Sequence, residues 1–183
     1  MYSTAIAAMK KSIYQLLQDA IPQLQVQLPP STSGDLHQLY DWINQQHTFM
    51  HYVELKEFED NGIEYNYYFK KYQVDTDALQ ADIYASIEHV FAEFAAEDLE
   101  IDADANAYIN ARILMDEQVE EIVFDHIHRC ATQHQLKLLI IVRENPYWLL
   151  IPNMKQEFID QLVGEFNQNF KVHEDLLMLQ YAR

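Results

Sequence analysis

Residues 136–151 read Leu-Lys-Leu-Leu-Ile-Ile-Val-Arg-Glu-Asn-Pro-Tyr-Trp-Leu-Leu-Ile. Two apolar, β-prone runs flank Glu144-Asn145-Pro146, a turn-forming tripeptide, which predicts a β-hairpin over 136–143 and 147–151. The pair should be buried. After it, Phe158, Ile159, Leu162, Val163 and Phe166 recur at helical spacing, and residues 176–181 read as a closing strand.

Before the hairpin, residues 105–133 carry Ile109, Ile113, Val119, Ile122 and Ile127 at mostly helical spacing. A short strand over 108–114 followed by a helix is the alternative. An acidic link, 98–104, separates this segment from a helix with Leu79, Ile83, Ile87, Val90 and Phe94 inward, capped by Thr76 or Asp77 and reaching about residue 97. Neither glycine nor proline falls between Ile63 and Asn145, and a stretch without such punctuation favours long helices.

In the first third, Ser3 can cap a helix through Ile6, Met9, Ile13, Leu16, Leu17 and Ala20 that ends at Pro22. Residues 23–28 alternate Gln-Leu-Gln-Val-Gln-Leu, a strand pattern with Leu24, Val26 and Leu28 on one side, stopped by Pro29 and Pro30. Leu36, Leu39, Tyr40 and Ile43 mark a second helix to about residue 46. Residues 49–59 and 63–72, joined by Asp60-Asn61-Gly62, read as another β-hairpin. The order α β α β β α α β β α β predicts an α+β single domain spanning residues 1–183, its mixed or antiparallel sheet having about four to six strands with about five helices.

Charge is distributed unevenly. Between His51 and Glu121, 19 carboxylates face Lys56, Lys70, Lys71 and Arg112, so 15 of the 17 net negative charges fall there. The flanks are near neutral. Such asymmetry speaks about partners more than fold, since a one-signed face attracts opposite charge. The expected partner is a basic protein, and the carboxylates are expected on one outer patch. Nucleic acid and anionic membrane surfaces are excluded as favourable ligands by the same charge. The longest apolar runs, 138–142 and 147–151, are too short to cross a bilayer. Lys10 and Lys11 interrupt the N-terminal apolar stretch where a secretory signal would continue, and the single Cys130 allows no internal disulfide. Both point to the cytoplasm.

The densest polar constellation is Asp125-His126-Ile127-His128-Arg129-Cys130 with His134 beyond. On a helix His126, Cys130 and His134 share one face, two imidazoles and a thiol suited to zinc. Three ligands one turn apart nevertheless span about 12 Å, too far for all to reach one ion. Asp125 with His128 has the spacing of a di-iron bundle, but no second such pair exists. Gly34, Gly62 and Gly164 are isolated from one another, so phosphate-binding glycine loops are excluded. Residues 98–104 lack the central glycine and terminal Glu of a calcium loop. No metal or cofactor is assigned.

What remains is acid interleaved with aromatic. Eight of the 23 aromatic residues lie between Phe49 and Tyr72, among them Tyr65, Tyr67 and Tyr68, alongside Glu54, Glu57, Glu59, Asp60 and Glu64. Tyrosine ringed by carboxylate captures Lys and Arg, the rings by contact area and cation-π attraction, the acids by steering. These eight residues are the expected partner-binding face. The corresponding function is a non-enzymatic inhibitor, immunity-protein-like or antitoxin-like, blocking a cationic toxin or nuclease. One alternative is a metal-dependent hydrolase using His126, His128 and Cys130. Another is a scaffold protein that forms a homo-oligomer through the near-neutral segment 136–170.

Overall fold

A computed structural model describes residues 11–30, 34–54, 60–96, 105–174 and 176–182. Its four strands are β1 (Met50–Tyr52), β2 (Leu136–Val142), β3 (Tyr147–Pro152) and β4 (Leu177–Gln180). β2 and β3 form the expected hairpin, with Leu139 opposite Leu149 and Ile140 opposite Trp148. β1 adds to β3 and β4 adds to β2, giving one antiparallel sheet in the order β1-β3-β2-β4. Its central strands are apolar at consecutive positions because helices cover both faces.

Those helices are α1 (Ile13–Ala20), α2 (Leu36–Ile43), α3 (Tyr67–Lys71), α4 (Thr76–Ala96), α5 (Ala105–Gln133) and α6 (Gln156–Glu174). The molecule is thus a single-domain α+β arrangement. Side chains alternate across a sheet, so Trp148, Leu150, Leu138 and Ile140 point to one side, and Leu149, Ile151, Leu139 and Ile141 to the other. On the first side Phe69 of α3 meets Trp148, and Phe124 of α5 meets Tyr181, just beyond β4. On the second, Tyr40 of α2 meets Tyr147. One continuous core results, with Phe49, Phe124, Trp148, Phe166 and Phe170 buried in it.

Local chemistry places the helix starts. Ser12 forms a capping box with Gln15 at α1, and Asp35 accepts from the His37 and Gln38 amides at α2. The cap placed at Ser3 lies outside the described residues. At α4 the cap is Asp75, whose carboxylate accepts from the Ala78 amide, in place of Thr76 or Asp77. The alternative strand over 108–114 does not form: α5 is helical throughout. The acidic link 98–104 lies outside the described residues.

Two expected strands are corrected. Residues Pro22–Val26 form a 3-10 helix that buries Leu24 but leaves Val26 and Leu28 in solvent, Leu28 at 91% exposure. Pro22 begins it without needing an amide hydrogen, and the Gln18 side chain donates to the Leu24 and Gln27 carbonyls that a neighbouring strand would otherwise satisfy. The hairpin over 49–72 is also absent. Among its described residues only β1 forms as a strand, and its partner is β3, while Ile63–Tyr65 is a 3-10 helix and Tyr67–Lys71 is α3. Asn66 decides this by accepting from the Tyr68 and Phe69 amides, an N-cap that starts a helix where alternation suggested a strand.

Both sheet edges are closed by asparagine. Asn44, which ends α2, donates from Nδ2 to the Met50 carbonyl and accepts at Oδ1 from the Phe49 and Met50 amides. Asn167 of α6 donates to the Met178 carbonyl at 3.1 Å and accepts from the Met178 amide at 2.7 Å. Each side-chain amide thus occupies edge groups that would otherwise invite a foreign strand.

Candidate functional site

Beside β1 a cleft of about 280 Å³ opens between Tyr40, Thr48, Tyr52, Asp60 and Tyr65, with His51 and Gly62 in its wall. Tyr52 also borders a neighbouring cleft of about 370 Å³, lined by Glu54, Arg143, Glu144, Asn145 and Tyr147. The rings form a chain: Tyr40 lies 5.7 Å from Tyr147, which lies 6.0 Å from Tyr52. Backbone bonds hold the walls together, from the Val53 amide to the Pro146 carbonyl and from the Glu54 amide to the Asp60 carbonyl. Asn145 donates to the Glu54 carboxylate at 3.3 Å.

His51 is the rigid part of this wall. It is only 4% exposed and stacks on Trp148 with ring centres 4.8 Å apart. Trp148 in turn donates to the Asn61 carbonyl at 2.8 Å. Burial, then the charge of Lys70, push the His51 pKa down to about 3 against an opposing hydrogen bond with the Thr48 backbone, so the ring is neutral at pH 7. Its Nε2 is buried without a hydrogen-bond partner among the described residues. Glycine is required at position 62 for two reasons: φ is +71°, and a Cβ would lie 2.3 Å from His51 Nδ1.

The expected partner-binding residues divide. Glu54, Asp60, Glu64 and Tyr65 stand at or beside the cleft, with Asp60, Glu64 and Tyr65 exposed. The Tyr65 hydroxyl is raised above its usual pKa by the Glu64 charge first. Tyr67 is half-buried, accepting from Gln23 Nε2 at 3.0 Å and packing against His47 and Phe49. Tyr68 is a core residue, buried beneath Phe49 and Tyr67, and burial raises its hydroxyl pKa. It has no surface to offer a partner. Glu57 and Glu59 lie outside the described residues. Sequence reading missed Tyr40, Glu144 and Tyr147, which arrive from α2, the β2–β3 turn and the start of β3; their sole signal was membership of predicted elements.

The carboxylates do not share one patch. Glu54, Asp60 and Glu64 cluster near β1, whereas Glu117, Glu120 and Glu121 of α5 surround Phe124 and Tyr181 beside β4. Two strands separate those edges, roughly 14 Å from first strand to last.

The histidines diverge likewise. His126 Nε2 lies 3.2 Å from Ser86 Oγ on α4, His128 packs against Tyr181, and His134, past the end of α5, stacks on Tyr72. Cys130 is half-buried against the core, which raises its thiol pKa and keeps it protonated. Among the described residues, no group of three or more His, Cys, Asp or Glu side chains is placed to hold a metal ion. Nor does any helix among them have the length and apolar character to cross a membrane. The apolar residues of 136–170 are mostly spent on the molecule's own core, with Val142 exposed. Compared with protein-family models, curated proteins and solved structures, the chain gives no significant match in any of the three.

Proposed function

We propose that this protein is a non-enzymatic, cytoplasmic binding protein that docks a basic protein partner through the tyrosine-lined cleft beside β1. It acts as an inhibitor or immunity protein does when it covers the cationic surface of a toxin or nuclease. The observation that carries this reading is the convergence of Tyr40, Tyr52, Tyr65 and Tyr147 around Glu54, Asp60 and Glu144. Rings supply contact area at low entropic cost, and carboxylates supply charge-assisted bonds to Lys or Arg. Lys70 supports the chemistry from within the chain, since its Nζ lies 5.6 Å from the Tyr65 ring centre, the contact a partner's lysine would make. A standard interface takes about 800 Å² per partner, a small share of the 11300 Å² surface.

Affinity capture with the full chain, read by mass spectrometry, supplies the basic partner for kinetic measurement. Its association rate is expected to fall steeply as salt rises from about 0.05 to 0.5 M, and Asp60→Lys/Glu64→Lys to slow association further while leaving the fold intact. A rate indifferent to both salt and the double variant removes the proposal.

A further inference from the structure

The opposite edge of the sheet presents different chemistry. Leu177 pairs with Val142 and Leu179 with Ile140, so Val142, Leu177 and Leu179 point to the side of the sheet on which Tyr181 meets α5. α5 does not cover that rim: Val142 is 44%, Leu177 38% and Leu179 45% exposed. Tyr181, two residues beyond Leu179 and so on the same side of the sheet, joins this stripe to α5, where Glu117, Glu120 and Phe124 lie at spacings of three and four, hence on one side of the helix. Glu117, Glu120 and Glu121 wall a cleft of about 260 Å³ with Phe124 and Tyr181. Among the described residues no lysine or arginine lines it. Burial, then Glu117, raise the Glu120 pKa, as expected of acids crowded beside an apolar floor.

We infer that the α5–β4 groove docks an amphipathic basic helix of another protein, its apolar side on Leu177, Leu179 and Val142 and its Lys or Arg side chains against Glu117, Glu120 and Glu121. Three observations select that occupant. A strand cannot extend the sheet at the middle of β4, because Asn167 already holds the Met178 amide and carbonyl. A second copy of this chain would bring the same glutamates against each other. From Glu117 to Phe124 the α5 wall of the cleft runs about 10 Å, two turns of a docked helix. This site is separate from the tyrosine cleft and does not depend on it.

The probe is a leucine–lysine peptide of about 18 residues, patterned as an amphipathic helix about 27 Å long. A leucine–glutamate counterpart and a serine–lysine peptide of equal charge serve as controls, all read by fluorescence anisotropy with the full chain. The leucine–lysine peptide is expected to bind and both controls to bind far more weakly. Leu177→Ser/Leu179→Ser should weaken it about tenfold or more, and Glu117→Lys severalfold. Asp60→Lys/Glu64→Lys should change it less than about twofold, which separates failure here from failure at the tyrosine cleft. All the altered side chains are exposed, so unchanged circular dichroism is expected in each variant. Equal binding of the serine–lysine peptide, indifference to the two serine substitutions, or a change of oligomeric state in place of lost peptide binding would each overturn the inference.

Discussion

At one edge of the sheet Asn44 holds Met50, and at the other Asn167 holds Met178. The backbone problem is the same at both edges and so is its solution, a side-chain amide standing in for a neighbouring strand. The side chains left in view differ. Near β1 they are tyrosines and separate carboxylates around a neutral histidine; near β4 they are exposed leucines and, beside Tyr181, a row of glutamates. Closing an edge to strands therefore leaves its surface free to be selective, and we propose that it is so for point charges at β1 and for an amphipathic surface at β4.

The sharpest way to break the β1 side is from below. Trp148 supports His51 and Asn61, and Trp148→Ala should cost about 3–5 kcal/mol, measured by urea unfolding, with loss of the cleft. Gly62→Ala comes next. A Cβ there meets His51 and a positive φ, so a loss of about 2–3 kcal/mol is expected.

Acidity distinguishes the edges by sign. His51 has a folded pKa of about 3 against 6.5 unfolded, so the unfolded state takes up protons first and stability falls as pH drops from about 6.5 towards 3. Between pH 7 and 5 the wild type should lose about 2 kcal/mol more than His51→Gln. Glu120 is shifted the other way: its raised folded pKa favours the folded state at low pH, and that gain is lost as pH rises through it. Glu120→Gln should thus be more stable than wild type at pH 7 and lose that advantage in acid. Parallel pH profiles for the two variants would erase the contrast.

Asn44→Ala and Asn167→Ala test the shared device. Each should cost about 1–3 kcal/mol, Asn44 the more because it serves three backbone groups, and each should add concentration-dependent association by size exclusion. The smallest effect is expected at Leu28→Gln, under about 0.5 kcal/mol, because that side chain stands in solvent.

How far the fold could be read depended on how local its causes are. The β2–β3 hairpin, α4, α5 and α6 announce themselves because their apolar spacing persists over many residues. β1 falls within the strand expected over 49–59, but its partner was not legible, since Met50 pairs with Leu149, far along the chain, and no local pattern specifies that pairing. The residues after it follow the Asn66 cap over their own alternation. At 23–28, the side-chain amide of Gln18 did the work of a neighbouring strand, so an alternating sequence folded as a 3-10 helix. The acidic half of the β1 cleft was legible in Glu54, Asp60, Glu64 and Tyr65. Its aromatic half was not, because Tyr40 and Tyr147 reach the site through tertiary packing. His126 and His134, already too far apart by spacing to share an ion, have different neighbours, Ser86 and Tyr72, and α5 stops at Gln133 before the second of them.

Hydrogen exchange on the full chain, alone and saturated with its captured basic partner, addresses most directly which edge that partner occupies. Protection concentrated in residues 50–54, 60–65 and 144–147, with 177–180 unchanged, is the expected result. Protection confined to 113–124 and 177–180, or spread evenly over the acidic surface, would contradict the assignment of the basic partner to the tyrosine cleft.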